Sequence, residues 1–189
     1  MKHRTSHAVA MRKQAGLTLI ELAIALAVAA ALLFGLFYVV NTANAKRKTS
    51  SEVQNLTMMA NDIRAKFAGQ GDFAGLTAGT LIQLGVPPQS MISGSALSSS
   101  FSTPVAVAAA NINGQANDGF EFTYTNFPAN ACADFVMAAA SNFAKVTLGS
   151  MIIKNIGTGA TDTTITVAEL AGCAGANGVV PAIRFGQGR

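Results

Sequence analysis

An uncharged run from Leu22 to Val40 constrains this 189-residue chain more than any other feature. A basic stretch ending at Gly16 precedes it, and one acid, Glu21, sits at its mouth. Its nineteen residues are mostly apolar, enough to cross a bilayer core as one helix. A carboxylate in the first turns of such a helix is costly without a partner, so Glu21 is a functional candidate.

The flanks say what kind of membrane segment this is. A secretory signal has a shorter apolar core and small residues after it, where it is cut. Here Ala15-Gly16 stands before the run, so cleavage at Gly16 would leave the whole apolar helix on the mature chain. Within that helix Ala23, Ala27, Ala31 and Gly35 recur every four residues. Small residues at that spacing let two helix backbones approach closely, although alanine is also simply common in membrane helices.

Charge placement removes a nucleic-acid reading. Four of the thirteen Lys and Arg (Lys2, Arg4, Arg12 and Lys13) precede Gly16, and the remaining nine match nine acids. The basic balance therefore belongs to a leader and not to a DNA-binding face. Leader charge favours a cytoplasmic N-terminus, a signal blurred by Lys46-Arg47-Lys48 beyond the helix. Both histidines, His3 and His7, lie in the leader. The chain after Gly16 thus has no His general base, no Ser-His or Cys-His pair and no His metal ligand. Neither a metal nor a cofactor is expected. Cys132 and Cys173 are the only cysteines, and in a domain carried across a membrane they read as one structural disulfide, with two buried thiols as the alternative.

No Pro and no Gly interrupts Asn41–Ala68. Val53, Leu56, Ala60, Ile63 and Phe67 repeat at spacings of three and four, one apolar stripe on an otherwise polar helix. One helix is therefore expected from about Leu17 to Phe67, roughly 75 Å long at 1.5 Å per residue. Gly69–Gly79 is a Gly-rich turn, and Gly69-Gln70-Gly71-Asp72-Phe73-Ala74-Gly75 lacks both the spacing and the preceding strand of a dinucleotide loop. Leu76–Gly85 reads as a short helix stopped by Gly85 and Pro87-Pro88. Ser90–Thr103 reads as an exposed Ser/Gly-rich loop.

Strands are expected from Pro104 to Ala109 and over Phe120, Phe122 and Tyr124, which alternate with Glu121, Thr123 and Thr125 after an Asn117-Asp118-Gly119 turn. Asn130 is placed to cap a helix reaching Phe143. Val146–Leu148 and Met151–Ile156 suit strands. Thr166-Val-Ala-Glu169 fits a capping box opening a short helix that ends near Cys173. Val179–Phe185 is the last strand, with Pro181 suggesting a sheet edge or the strand's start. The sum is an α+β protein: a long N-terminal helix, apolar then amphipathic, with an antiparallel-sheet head. Its parts are a leader over residues 1–16, the helix over 17–70 with the membrane or filament-core part at 17–40, and the head over 71–189.

The pattern Gly16-Leu17-Thr18-Leu19-Ile20-Glu21 resembles the processing site of type IV prepilins. The resemblance continues through Gly69-Gln-Gly-Asp-Phe-Ala-Gly-Leu76, Val86-Pro87, the Cys132 helix and Thr166-Val-Ala-Glu-Leu170. It covers nearly the whole chain and points to the type IVb branch, which includes toxin-coregulated and conjugative thin pilins. Leu17 at the mature N-terminus also suits that branch. The absence of Pro from Leu17–Phe67 departs from many family members, which carry a helix-breaking Pro in the apolar half.

The resemblance implies cleavage between Gly16 and Leu17, N-methylation of Leu17 by the same prepilin peptidase, and an assembly role for Glu21. It implies a precursor in the inner membrane with its head in the periplasm, handled by inner-membrane assembly machinery. The chain then becomes a homo-oligomeric helical filament on the bacterial surface, its apolar helices bundled inside. The expected function is the major subunit of a type IVb pilus, serving adhesion, aggregation or mating-pair contact. A minor pilin or a type II secretion pseudopilin is the related alternative. A membrane-anchored binding module that never polymerises is another, and an enzyme is the last.

Overall fold

The computed structural model describes residues 18–157 and 162–189. The chain divides into two compact units, Met1–Thr42 and Ala43–Arg189. Helix α1, Leu19–Phe67, belongs to both. In the first unit every described residue is exposed, including Leu26, Leu32, Phe34, Phe37 and Val40. Its backbone is satisfied within the helix, and Thr42 Oγ1 also donates to Tyr38 O at 3.0 Å. Among the described residues, α1 is the one helix long and apolar enough to cross a membrane.

In the second unit α1 keeps the apolar stripe but broadens it. Leu56, Met59, Ala60, Ile63 and Phe67 are buried, Val53 is half-buried, and Thr49 and Glu52 are buried on the same side. The stripe packs on a seven-stranded antiparallel sheet made of β1 (Ile92–Ser93), β2 (Ala96–Ser98), β3 (Pro104–Ala110), β4 (Gly119–Pro128), β5 (Lys145–Leu148), β6 (Met151–Asn155) and β7 (Val179–Gly188). Their order across the sheet is β1-β2-β3-β4-β7-β5-β6.

The period-two pattern of β4 places Phe120, Phe122 and Tyr124 in the core, opposite Gln187, Phe185 and Ile183 of β7. Asn126, at φ 56, breaks the alternation and turns Phe127 inward as well. Helix α2 (Ala78–Gln83) starts where Thr77 accepts from Thr80 N at 3.1 Å. It ends in a left-handed Gly85, with Gly85 N on Ile82 O and Val86 N on Leu81 O, the paired bonds of a Schellman stop. Helix α3 (Ala129–Ala139) lays Phe135 flat on Phe127, centroids 4.8 Å apart, and edge-on to Tyr124 and Phe185.

Three local expectations change. Residues 90–103 are not one loop. A 3₁₀ turn (Gln89–Met91) leads into the β1–β2 hairpin, in which Leu97 pairs with both Ile92 and Val105. Met91 and Leu97 are buried, and these two anchors outweigh the Ser/Gly composition around them. Asn130 does not cap α3. Pro128 holds the cap position with no side-chain bond, because β4 runs straight into the helix, and a 3₁₀ turn (Ala140–Asn142) finishes it.

Pro181 lies in an interior strand, third from its start. Strand β5 pairs with β7 only over Ile183–Gly186, so β5 asks nothing of the ladder at position 181. Thr166 and Glu169 do form their box, and the helix it precedes is a 3₁₀ turn, Glu169–Cys173.

Candidate assembly site

The first described residue is part of the site. Thr18 and Glu21 make a capping box at the start of α1. Glu21 Oε2 accepts from Thr18 N and Thr18 Oγ1, both at 2.9 Å, and Glu21 N donates to Thr18 Oγ1 at 3.4 Å. The box satisfies two groups at the helix start, and a carboxylate there also suits the positive end of the helix dipole. Glu21 Oε1 accepts no hydrogen bond among the described residues. The sequence carried the signal, a Thr three residues before a Glu at the mouth of an apolar run. It went unread because both residues were absorbed into the processing motif. Gly16 and Leu17 lie outside the described residues.

Beyond the box, Ala23, Ala27, Ala31 and Gly35 form one exposed line on α1. A Cβ added at Gly35 would meet nothing. The bulky residues around this line are equally bare. Phe34 is 80% exposed, Phe37 72% and Leu32 65%. Such a surface is unstable in water and suited to hydrocarbon or to other helices of its kind.

The head holds a second carboxylate that the sequence reading passed over. Glu52 is wholly buried. Its Oε1 accepts from Tyr124 Oη at 2.9 Å and its Oε2 from Ser100 N at 2.7 Å. A buried carboxylate needs such donors, because removing it from water costs far more than one hydrogen bond returns. The two bonds tie α1 to β4 and to the turn after β2. Within that turn Ser99 Oγ and Thr103 Oγ1 are buried 2.7 Å apart. Burial, and then the charge and hydrogen bond of Glu52, push the Tyr124 phenol well above its ordinary value. The spacing of Glu52 four residues before Leu56, on the apolar stripe, is the signal that could have found it.

Cys132, in the first turn of α3, is bonded to Cys173, at the end of the 3₁₀ turn before β7, with Cα atoms 5.6 Å apart. No group of three His, Cys, Asp or Glu residues able to hold a metal ion occurs among the described residues.

Residues 46–183 match the family described as PilS N terminal, and residues 11–37 match the prokaryotic N-terminal methylation motif. No curated protein matches the chain. Among solved structures the chain is similar to TcpA, a type IV pilin from Vibrio cholerae El Tor biotype. Identity is 18%, the match spans 75% of this chain and 99% of that one, and the TM-score is 0.57. At that identity the likeness carries the fold, a long N-terminal helix with an antiparallel-sheet head.

Proposed function

The chain belongs to the PilS family of type IV pilins, and from that premise we propose that it is the major structural subunit of a type IVb pilus. Type IV pilins are membrane-anchored precursors that become filament subunits, and the methylation motif implies processing by a prepilin peptidase. The finer reading is this chain's own. Cleavage falls between Gly16 and Leu17, Leu17 is N-methylated, and the head stands in the periplasm until inner-membrane machinery adds the subunit to a surface filament. Adhesion, aggregation or mating-pair contact is the role of that filament.

One observation carries the reading: an apolar helical segment exposed on all sides, with a single acid at its mouth. Such a helix leaves lipid only for an equally apolar environment, and a bundle of identical helices is one. Ala23, Ala27, Ala31 and Gly35 supply the side on which backbones come close. Glu21 sets the axial register. Its Oε2 is held by Thr18, and Oε1 remains to accept from the methylated α-amino group of Leu17 in a neighbouring subunit. A carboxylate left unpaired inside the bundle is the costly alternative, so one stagger is selected over others.

Mass spectrometry of protein sheared from the cell surface tests the processing. A methylated N-terminus at Leu17 is expected, and a mature N-terminus beyond Val40 overturns the reading. Glu21→Ala tests the assembly step. The variant should be cleaved, membrane-held and folded, with few or no filaments. Normal piliation would remove Glu21 from assembly. Scarcity of the chain in sheared filaments would make it a minor pilin or a pseudopilin.

A further inference from the structure

We propose that the cleft at the C-terminal end of α1 is an oxyanion site, in which Arg64 and Arg189 together hold a carboxylate or phosphate group. Arg64 lies in the last turn of α1. Arg189 follows β7, whose pairing with β4 runs to Gly188↔Gly119, and Arg189 N donates to Asp118 O at 3.3 Å. This pairing carries the end of the last strand to the end of the first helix. The cleft between them has a volume of about 380 Å³ and is lined by Arg64, Phe67, Ala68, Phe73 and Arg189.

Both guanidinium groups are positioned by neutral partners. The Arg189 guanidinium lies 5.9 Å from the Phe73 ring centroid, and its Nη2 donates to Phe67 O at 3.4 Å. With the Gln187 amide turned to satisfy both neighbours, its side-chain oxygen accepts from Arg64 and its nitrogen donates to Asn142 O at 2.7 Å. Each contact uses one of the five donors on a guanidinium. Neither arginine has a carboxylate within ion-pair distance among the described residues, where the ion pair present is Arg184–Glu121.

Two oriented, unneutralised forks on one cleft therefore remain able to donate. A guanidinium fork matches carboxylate and phosphate geometry in a way that an ammonium does not. The floor beneath is apolar. Phe67 and Phe73 stack with centroids 5.5 Å apart, and both are buried. An apolar wall on one side reduces the screening of charges at the mouth. The ligand is thus a compact oxyanion held between the two guanidinium groups, since Phe67 and Phe73 are buried beneath them. It comes from one of two sources: free inorganic phosphate, or the acidic sugar of a target surface. The second source rests on the proposed role at a target surface, whereas the site itself is argued from Arg64 and Arg189 alone.

Arginine labelling of the full-length chain in detergent tests this. Phenylglyoxal modification is followed at each arginine by mass spectrometry, in sodium chloride, sodium phosphate or sodium glucuronate at matched ionic strength. Exposed Arg47 and ion-paired Arg184 are the internal references. The expected result is a several-fold fall in labelling at Arg64 and Arg189 together, with both references unchanged. Protection by glucuronate alone identifies an acidic sugar, and protection by phosphate alone identifies a phosphate group. Arg64→Ala should abolish protection at Arg189, and Arg64→Lys should weaken it while keeping the charge. Unchanged labelling at Arg64 and Arg189 overturns the site. So does an equal fall at all four arginines, or protection of Arg189 that survives Arg64→Ala.

Discussion

The two halves of α1 share one backbone geometry and opposite surroundings. Leu32 is 65% exposed, and Leu56 is wholly buried. The first half is apolar on every side and has one acid. The second is polar except for a stripe, and that stripe too contains one acid, Glu52. A helix apolar all round must be solvated by something apolar, whereas a striped helix solvates itself against its own domain. The two carboxylates follow the same division. Glu52 has both oxygens bonded within the head, and Glu21 has one oxygen bonded to Thr18. The head is therefore complete as a folding unit, and the apolar half is complete only in company.

The sharpest way to break this comparison is to stop the chain from reaching its company. Gly16→Val should abolish cleavage and leave the full precursor in the membrane with no filaments, as read by mass and by electron microscopy. Loss of the Cys132–Cys173 bond comes next and should touch the head alone. At a sequence separation of 41, the chain-entropy argument gives about 4 kcal/mol. Reduction of a head trimmed to about Lys48 should lower its melting temperature sharply. An unchanged melt would mean that the disulfide is stabilising nothing.

A matched pair of leucines sharpens the contrast further. Leu56→Ala should cost the head about 3 kcal/mol, within the range for a wholly buried leucine. Leu32→Ala should leave the head's unfolding unchanged and show its effect in filament yield instead. A stability loss from Leu32→Ala would join the two halves into one folding unit.

The smallest effect concerns Tyr124. Its phenol is held well above the ordinary value, by burial first and by Glu52 second. Because the folded state resists losing that proton, the stability it contributes is fully present below about pH 10, the ordinary tyrosine value. It is lost as pH rises from there toward the higher value in the fold. Tyr124→Phe should cost about 2 kcal/mol at neutral pH by leaving Glu52 short of a donor, and the variant should lose less stability in alkali. In a Tyr38→Phe background the phenolate absorbance reports Tyr124 alone, and it should rise only as the head unfolds.

What was legible in the sequence followed periodicity and punctuation. The stripe from Val53 to Phe67, the alternation of Phe120, Phe122 and Tyr124, the stop at Gly85 and the Thr166–Glu169 box are local patterns with local causes. The β1–β2 hairpin was hidden because only Met91 and Leu97 anchor it, two buried residues in a stretch otherwise rich in Ser and Gly. The interior place of β7 was hidden because strand order is set by pairing across the sheet, and Pro181 pointed either to an edge or to the strand's start, near which it does lie. Glu52 was hidden by its type, since a charged residue on a stripe reads as its rim until a phenol and a backbone N–H are found to meet it. Thr18 and Glu21 were visible as residues but not as a pair.

Glu52 has one more consequence, which appears when the head is thought of as a part under load. The carboxylate stands on α1, while its donors stand on β4 and on the turn at Ser100. Sliding α1 by one turn, about 5.4 Å, would carry Leu56 or Lys48 to the place where Tyr124 Oη and Ser100 N point. A pull along α1 therefore meets a detent rather than a smooth apolar track. The bond pair fixes where the helix stops, and the hydrophobic stripe alone would resist separation without marking a position.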